Sequence, residues 1–290
     1  MIKFGVAGNS NSFYDEGYKH TYQAADWCKK RNLDLFEYSF GHGVNMSLET
    51  ATLIKNSFQD SNISLSSHAP YYINMANEDP LMIDKSIKLI LSTIEKSLLM
   101  GSKRVIIHPA SQGKMDRKRA ELLMLDNIHR LSDVLSESNF SNDLILCWET
   151  MGKVGQMGTV EEIIEICKIR DNFYPCIDFG HINAREQGIL NNPQMYNTII
   201  QKLQENLKKD KFLNMHIHFS KIQFSNKGEV KHLTFQDELY GPKFEPLAGL
   251  IAKYNIQPWI VCESDGTQAE DAIIMKNIFE NILKEDSNCL

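Results

Sequence analysis

Eight short apolar runs alternate with eight segments whose apolar residues recur at helical spacing, and this alternation constrains the fold more than any single motif in the chain. The runs are Ile2 to Ala7, Leu33 to Phe40, Ile63 to His68, Arg104 to His108, Leu144 to Glu149, Tyr174 to Asp178, Phe212 to Phe219 and Pro258 to Glu263. The helical segments are Tyr18 to Lys30, Leu48 to Phe58, Pro80 to Met100, Arg117 to Ser136, Val160 to Ile169, Pro193 to Leu207, Phe244 to Tyr254 and Ala269 to Leu283. Strand-then-helix order implies parallel strands. Eight of them is the count that closes a (β/α)8 TIM barrel.

Such a barrel takes about 250 residues, so 290 residues are read as one domain, 1–290, with modest loops. Pro80 and Pro193 open helical periodicity and Gly101 closes one segment, as expected of helix starts and stops. The longest irregular stretches, Gly8 to Gly17 and Lys221 to Gly241, follow the first and seventh runs. In a barrel, the loops after strands form the active-site face.

Charge and cysteines narrow the chemistry. A net charge of −6 gives no basic surplus of the kind polyanion binding usually shows, although bound divalent cations would change the local sign. One basic cluster, Lys114, Arg117, Lys118 and Arg119, either faces an anionic ligand or is a solvated helix start. The six cysteines, Cys28, Cys147, Cys167, Cys176, Cys262 and Cys289, have no CxxC spacing and read as reduced structural thiols. Met1 to Ser10 lacks a basic region followed by an apolar core, and no stretch approaches the roughly 20 apolar residues of a membrane span. A cytoplasmic enzyme is expected.

Histidines and carboxylates recur where the apolar runs end. His68 and His108 close neighbouring runs in the same way, each followed within two residues by a proline. Glu149 and Glu263 end apolar runs where an ionised carboxylate is costly to bury without compensation; a cation supplies it, and an ion pair with Lys or Arg is the bland alternative. Asp178 and His181 stand three residues apart after the sixth run, although Asp178 also suits a helix cap. In His216-Ile217-His218 the period of two places both imidazoles on one face, and only one of them need be a ligand. Nitrogen and oxygen donors without thiolates suit zinc, and also manganese or iron. The candidate set, His68, His108, Glu149, Asp178, His181, His216, His232 and Glu263, oversupplies one ion, so two or three ions sharing a carboxylate are expected, about 3.5 to 4 Å apart.

In order and strand-end placement, six segments resemble endonuclease IV, the zinc-dependent apurinic/apyrimidinic endonucleases of the xylose isomerase-like TIM-barrel superfamily. They are Ser67-His68-Ala69-Pro70-Tyr71-Tyr72-Ile73-Asn74, Ile107-His108-Pro109-Ala110-Ser111, Trp148-Glu149-Thr150-Met151-Gly152, Cys176-Ile177-Asp178-Phe179-Gly180-His181, Met215-His216 and Cys262-Glu263-Ser264. The resemblance covers most of the chain from the third run onward. It implies that His68 and His108 hold one zinc, and that Glu149 bridges to a second held by Asp178, His216 and Glu263. His181 and His232 help to hold a third. It implies phosphodiester hydrolysis 5′ to abasic sites, with Glu149 and Glu263 catalytic and Tyr71, Tyr72 and Asn74 on the substrate side.

The departures are specific. The family carries an aspartate two residues before the histidine matching His232, and here that place is Val230, which has no ligand atom; Glu229 or Asp237 is the substitute, or the third site is absent. The loop Tyr38-Ser39-Phe40-Gly41-His42-Gly43-Val44 lacks the arginine expected at a DNA-contacting loop. Sugar or sugar-phosphate isomerases and epimerases of the same superfamily are the alternative, with Glu149 and Glu263 as acid and base on either side of an enediolate. Their single-ion site, for which one manganese is expected, resembles Glu149, Asp178, His216 and Glu263. The expected partner is therefore abasic DNA or a small sugar (phosphate), with no membrane and no obligate protein partner in view.

Overall fold

In the computed structural model, which describes residues 1–41, 43–140 and 143–288, eight parallel strands close into a barrel. They are β1 (Lys3–Ala7), β2 (Leu35–Ser39), β3 (Ser64–His68), β4 (Arg104–Ile107), β5 (Ile145–Glu149), β6 (Phe173–Asp178), β7 (His216–Phe219) and β8 (Trp259–Cys262). Each pairs with its sequence neighbours, and β1 closes on β8 through Lys3 opposite Trp259 and Val6 opposite Cys262. Cys289 and the His42 position of the loop after β2 lie outside the described residues.

Local chemistry fixes most helix limits. Thr159 and Glu162 form a reciprocal capping box, Glu162 N to Thr159 Oγ1 at 3.2 Å and Thr159 N to Glu162 Oε2 at 2.9 Å, and the helix Val160–Ile169 begins where that pattern predicts. Asp79 caps Pro80–Leu99 and Asn192 caps Pro193–Asn206, each with proline in the first turn. Arg117 of the basic cluster serves this frame. It forks onto Glu162 at 2.8 and 2.6 Å and reaches the Gln156 carbonyl at 2.8 Å, and Arg119 pairs with Glu78.

Four stretches differ from the sequence expectation. Within Tyr18 to Lys30 the α-helix begins only at Ala24, after a 3-10 turn over Thr21–Gln23. Phe212 belongs to a short helix, Lys209–Leu213, so β7 starts only at His216; apolar content alone carries no period that separates helix from strand. The stretch Gly8 to Gly17 contains a helical turn, Asn11–Asp15. The stretch Lys221 to Gly241 contains an antiparallel hairpin, Lys221–Ser225 with Gly228–Leu233, that stands above the barrel mouth.

The barrel interior is polar in its upper half. Alternate residues of each strand face inward. Ile106, Cys147 and Cys176 form a small apolar cluster of their own, apart from the large core between strands and helices. Beside them stand Glu37, Ser66 and His216, all buried, and one step further along the strands stand His68, Glu149, Asp178 and His218. Cys28, Cys147, Cys167, Cys176 and Cys262 are buried free thiols. No described helix is long and apolar enough to cross a membrane.

Candidate metal centre

At the mouth of the barrel the ends of β3, β4 and β5 bring His68, His108 and Glu149 together. His68 Nε2 and His108 Nε2 lie 3.0 and 2.9 Å from Glu149 Oε2, with the two imidazoles edge to face. His68 Nδ1 donates to the Ala69 carbonyl at 2.7 Å and its Nε2 to Glu149 Oε2 at 3.0 Å; burial depresses this imidazole, and Glu149 and Glu37 more than reverse it.

The other carboxylate oxygen of Glu149 faces β7. His218 Nδ1 is 2.9 Å from Glu149 Oε1 and 3.4 Å from Glu263 Oε1, and Asp178 completes this group. Here the structure brings in His218 rather than His216. Both face inward, but the β6–β7 register sets Asp178 beside His218 and Cys176 beside His216. Two residues of strand amount to about 6.6 Å, so His216 sits a layer deeper, against Glu37 at 3.2 Å and near Cys176. Sequence periodicity gives the face and leaves the height to register.

A third group stands to one side. Asp178 caps the short helix Phe179–Arg185 by accepting from His181 N at 2.7 Å, which turns His181 inward. His181 Nδ1 donates to the Thr150 carbonyl at 2.9 Å, and its Nε2 lies 3.4 Å from Glu229 Oε2. Glu229 and His232 arrive on the hairpin, which is clamped to the loop after β5 by Glu229 N to the Gly152 carbonyl at 3.0 Å and Val154 N to the Lys227 carbonyl at 3.1 Å. Gly152 permits that approach, since a Cβ there would fall 2.8 Å from both Glu229 Cβ and His181 Cδ2. Asp237, the other acid considered for this place, instead accepts from the amides of Leu239 and Tyr240 at 3.0 and 2.7 Å and is spent on a turn.

The electrostatics follow from burial set against charge. Burial pushes the Glu149 carboxyl up, but the facing imidazoles of His218, His108 and His181 outweigh it and hold Glu149 well below the ordinary carboxylate value. Burial depresses His181, and Asp178, Glu149 and Glu229 more than reverse this. His108 stays below its ordinary value because burial dominates. Burial, reinforced by the Asp178 and Glu149 carboxylates against an opposing His218, raises Glu263 to about 8.

These residues suit a bound cation. Asp178 Oδ2 and Glu263 Oε2 are buried without a hydrogen bond, a costly state unless a cation or another partner compensates it. The donors at the mouth are imidazole and carboxylate, the set that zinc and manganese share. Among the described residues, His68, His108 and Glu149 form one group with ligand atoms in mutual reach, Glu149, Asp178, His218 and Glu263 a second, and His181, Glu229 and His232 a third. A fourth, Cys176 with His216 and His218, lies deeper and shares His218 with the second.

The cleft over these groups has a volume of about 330 Å³ and is lined by Ser39, His68, Tyr71, His108, Lys153 and Glu263, among others. Tyr71 stands at its edge, 56% exposed, and Tyr72, which does not line the cleft, packs edge to face against it at 6.0 Å. Asn74 is placed elsewhere. Its Oδ1 accepts from the Ala76 and Ser111 amides at 3.1 and 3.0 Å and ties two loops together.

The chain is similar along nearly its whole length to the Methanocaldococcus jannaschii protein MJ0133, at 31% identity over 95% of this chain and 96% of that protein. A probable endonuclease 4 of Ureaplasma urealyticum serovar 10 is 25% identical over 70% of this chain and 69% of its own. Among solved structures, a D-tagatose 3-epimerase-like protein superimposes with a TM-score of 0.72 at 18% identity, covering 99% of both chains. Endonuclease IV from Thermus thermophilus does so with 0.67 at 15%, covering 98% of this chain and 99% of that one. At those identities the superpositions speak to fold alone. The family profile described as xylose isomerase-like TIM barrel matches residues 25–279, and with the closed eight-stranded barrel already in place the chain belongs to that family.

Proposed function

We propose that this protein is a zinc-dependent phosphodiester hydrolase of the endonuclease IV kind, cleaving DNA 5′ to abasic sites. The observation that carries the reading is the third group, His181, Glu229 and His232, standing beside the other two. A proton-shuttling isomerase of the expected kind needs one ion, and two carboxylates on either face of its substrate. Three adjacent groups that share Glu149 and the Asp178–His181 turn are more than that chemistry uses.

In this reading His68, His108 and Glu149 hold one ion, Glu149, Asp178, His218 and Glu263 a second, and His181, Glu229 and His232 a third. Bound divalent ions supply Lewis-acid stabilisation of phosphate oxygens and bring the pKa of water to about 7. Glu149 divides its two oxygens between the first two groups. Glu263, with one oxygen free of hydrogen bonds, is placed to orient an attacking water and take its proton. Tyr71 offers a ring at the cleft edge on which a base beside the lesion can stack. The similarity to probable endonuclease 4 supports this substrate.

One observation favours the sugar epimerase reading. Glu263 at about 8 is poised between acid and base forms near neutrality, and Glu149 faces it across His218. The epimerase-like superposition agrees with that reading at the level of fold.

Metal analysis of the purified protein, run beside cleavage of a duplex with one abasic site, separates the two. Two or three zincs per chain, with incision abolished in Glu149→Gln, is the expected result. One ion without incision redirects the assignment to ketoses and aldoses. A Glu149→Gln protein with full activity removes the centre altogether.

A further inference from the structure

Three rim histidines have one ring nitrogen held by a neutral group: Nδ1 of His68 and of His181 by a backbone carbonyl, and Nδ1 of His232 by the Ser220 hydroxyl at 2.8 Å. For His181 that nitrogen also lies 3.2 Å from Asp178 Oδ2 and 3.5 Å from Glu149 Oε1. His218 differs. Its Nδ1 hydrogen-bonds Glu149 Oε1 at 2.9 Å and faces Glu263, while its Nε2 lies 3.0 Å from Glu37 Oε1, on a β2 carboxylate that is 1% exposed; neither Nε2 nor that oxygen makes a hydrogen bond. Glu37 is itself fixed, because Ser66 Oγ donates to its Oε2 at 2.8 Å. Among the described residues no lysine or arginine pairs with it; the ionisable side chains within ion-pair distance are His216, which burial lowers to about 4, and His218.

A carboxylate so deep in a barrel is costly, and barrel interiors are ordinarily filled by branched apolar side chains. We propose that Glu37 is a positioning residue for the metal centre: with a cation on the Glu149–Glu263 side, it would take the N–H of His218 at Nε2, 3.0 Å away, and so free Nδ1, here bonded to Glu149, to present its lone pair to that cation. The role rests on the centre proposed above. A neutral imidazole has two tautomers, and only one of them presents Nδ1 as a donor to a cation. An ionised acceptor holds an N–H more strongly than a neutral one such as the carbonyl behind His68, and such outer partners also raise the basicity of the ligand. His216 shares Glu37 at 3.2 Å, yet it lies a layer below the mouth and serves no ion in this arrangement.

The test is zinc titration of chelator-stripped protein against a competing chelator, for wild type, Glu37→Met, Glu37→Gln and His216→Gln. Nitrogen NMR of the histidine rings reads the His218 tautomer in parallel. Glu37→Met is expected to weaken one ion by on the order of 10–100-fold and to mix the tautomers. Glu37→Gln, which keeps a neutral acceptor, is expected to fall between Glu37→Met and wild type. It carries the test alone should Glu37→Met fail to fold. His216→Gln is expected to keep wild-type affinity. Equal affinities and an unchanged tautomer in the Glu37 variants, with wild type still taking up its ions, overturn the positioning role and leave the centre standing. A wild type that takes up no ion overturns both.

Discussion

Glu229 and His232 stand three residues apart on one strand and face the same side, Glu229 Oε1 lying 3.9 Å from His232 Nε2. In regular strand a spacing of three puts side chains on opposite faces. The hairpin register explains the exception: Lys231 opposes Gln223 and Glu229 opposes Phe224, so Val230 is an extra residue in a bulge, 52% exposed. One inserted residue restores the facing that an acid two places before His232 would have had.

Deleting Val230 is therefore expected to regularise the pairing and keep Glu229 beside His232, whereas Glu229→Gln removes the ligand atom. Metal analysis should find the wild-type ion count in the deletion and one ion fewer in Glu229→Gln. Loss of an ion in the deletion with retention in Glu229→Gln would place the third ion's acid elsewhere.

Tyr71 lines the cleft with half of its surface open to solvent and makes no part of the donor groups. A base stacked on an aromatic ring is worth about 1–3 kcal/mol, so Tyr71→Ala should weaken abasic-duplex binding by that amount while the ion count is unchanged. Fluorescence anisotropy at fixed salt measures the first and elemental analysis the second. Unchanged duplex affinity would make the ring packing or part of a sugar wall.

The barrel was legible because each buried parallel strand is a compact apolar run, and the Val160–Ile169 helix was legible because its apolar residues recur at helical spacing. The grouping of candidate donors was legible where a histidine or carboxylate ends a run, as at His68, Glu149 and Asp178. It was not legible where geometry depends on partners far away in sequence. The choice between His216 and His218 needs the β6–β7 register, Glu229 needs the hairpin bulge, and Glu37 hides within the run Leu33 to Phe40 because its compensation comes from β3 and β7. Asp178 was open between cap and cavity, and the structure shows that capping is what turns His181 inward.

Gly152 links the loop after β5 to the third group. A methyl group there would meet Glu229 and His181 at 2.8 Å, with the Gly152 carbonyl already fixed by the Glu229 amide. Gly152→Ala is expected to displace Glu229 and lose one ion, leaving the groups of His68 and of His218 loaded. Overpacking of this kind typically costs about 1–3 kcal/mol, to be read as a lowered unfolding temperature. A full ion count in Gly152→Ala would mean that the hairpin shifts without cost to the site.

Glu263 gives the centre a pH signature in zinc-free protein. Its carboxyl rises from an ordinary 4.5 to about 8 in the folded chain, first through burial and then through Asp178 and Glu149. The folded state thus holds this proton more tightly than the unfolded one, and stability from the protonated form is present below about 4.5 and lost as pH rises through about 8. Wild type, compared with Glu263→Gln at each pH, is therefore expected to lose ground between those limits, and the variant to be the more stable of the two at pH above about 8. Saturating zinc should reverse the order, since a bound cation stabilises the folded state by mass action and only the carboxylate ligates. Thermal unfolding across pH, with and without zinc, measures both; for a chain of this size each kcal/mol moves the midpoint by about 2–4 °C. Parallel zinc-free curves for the two proteins would show that Glu263 ionises as a solvated acid does, and its ionisation would then lend nothing to the epimerase reading.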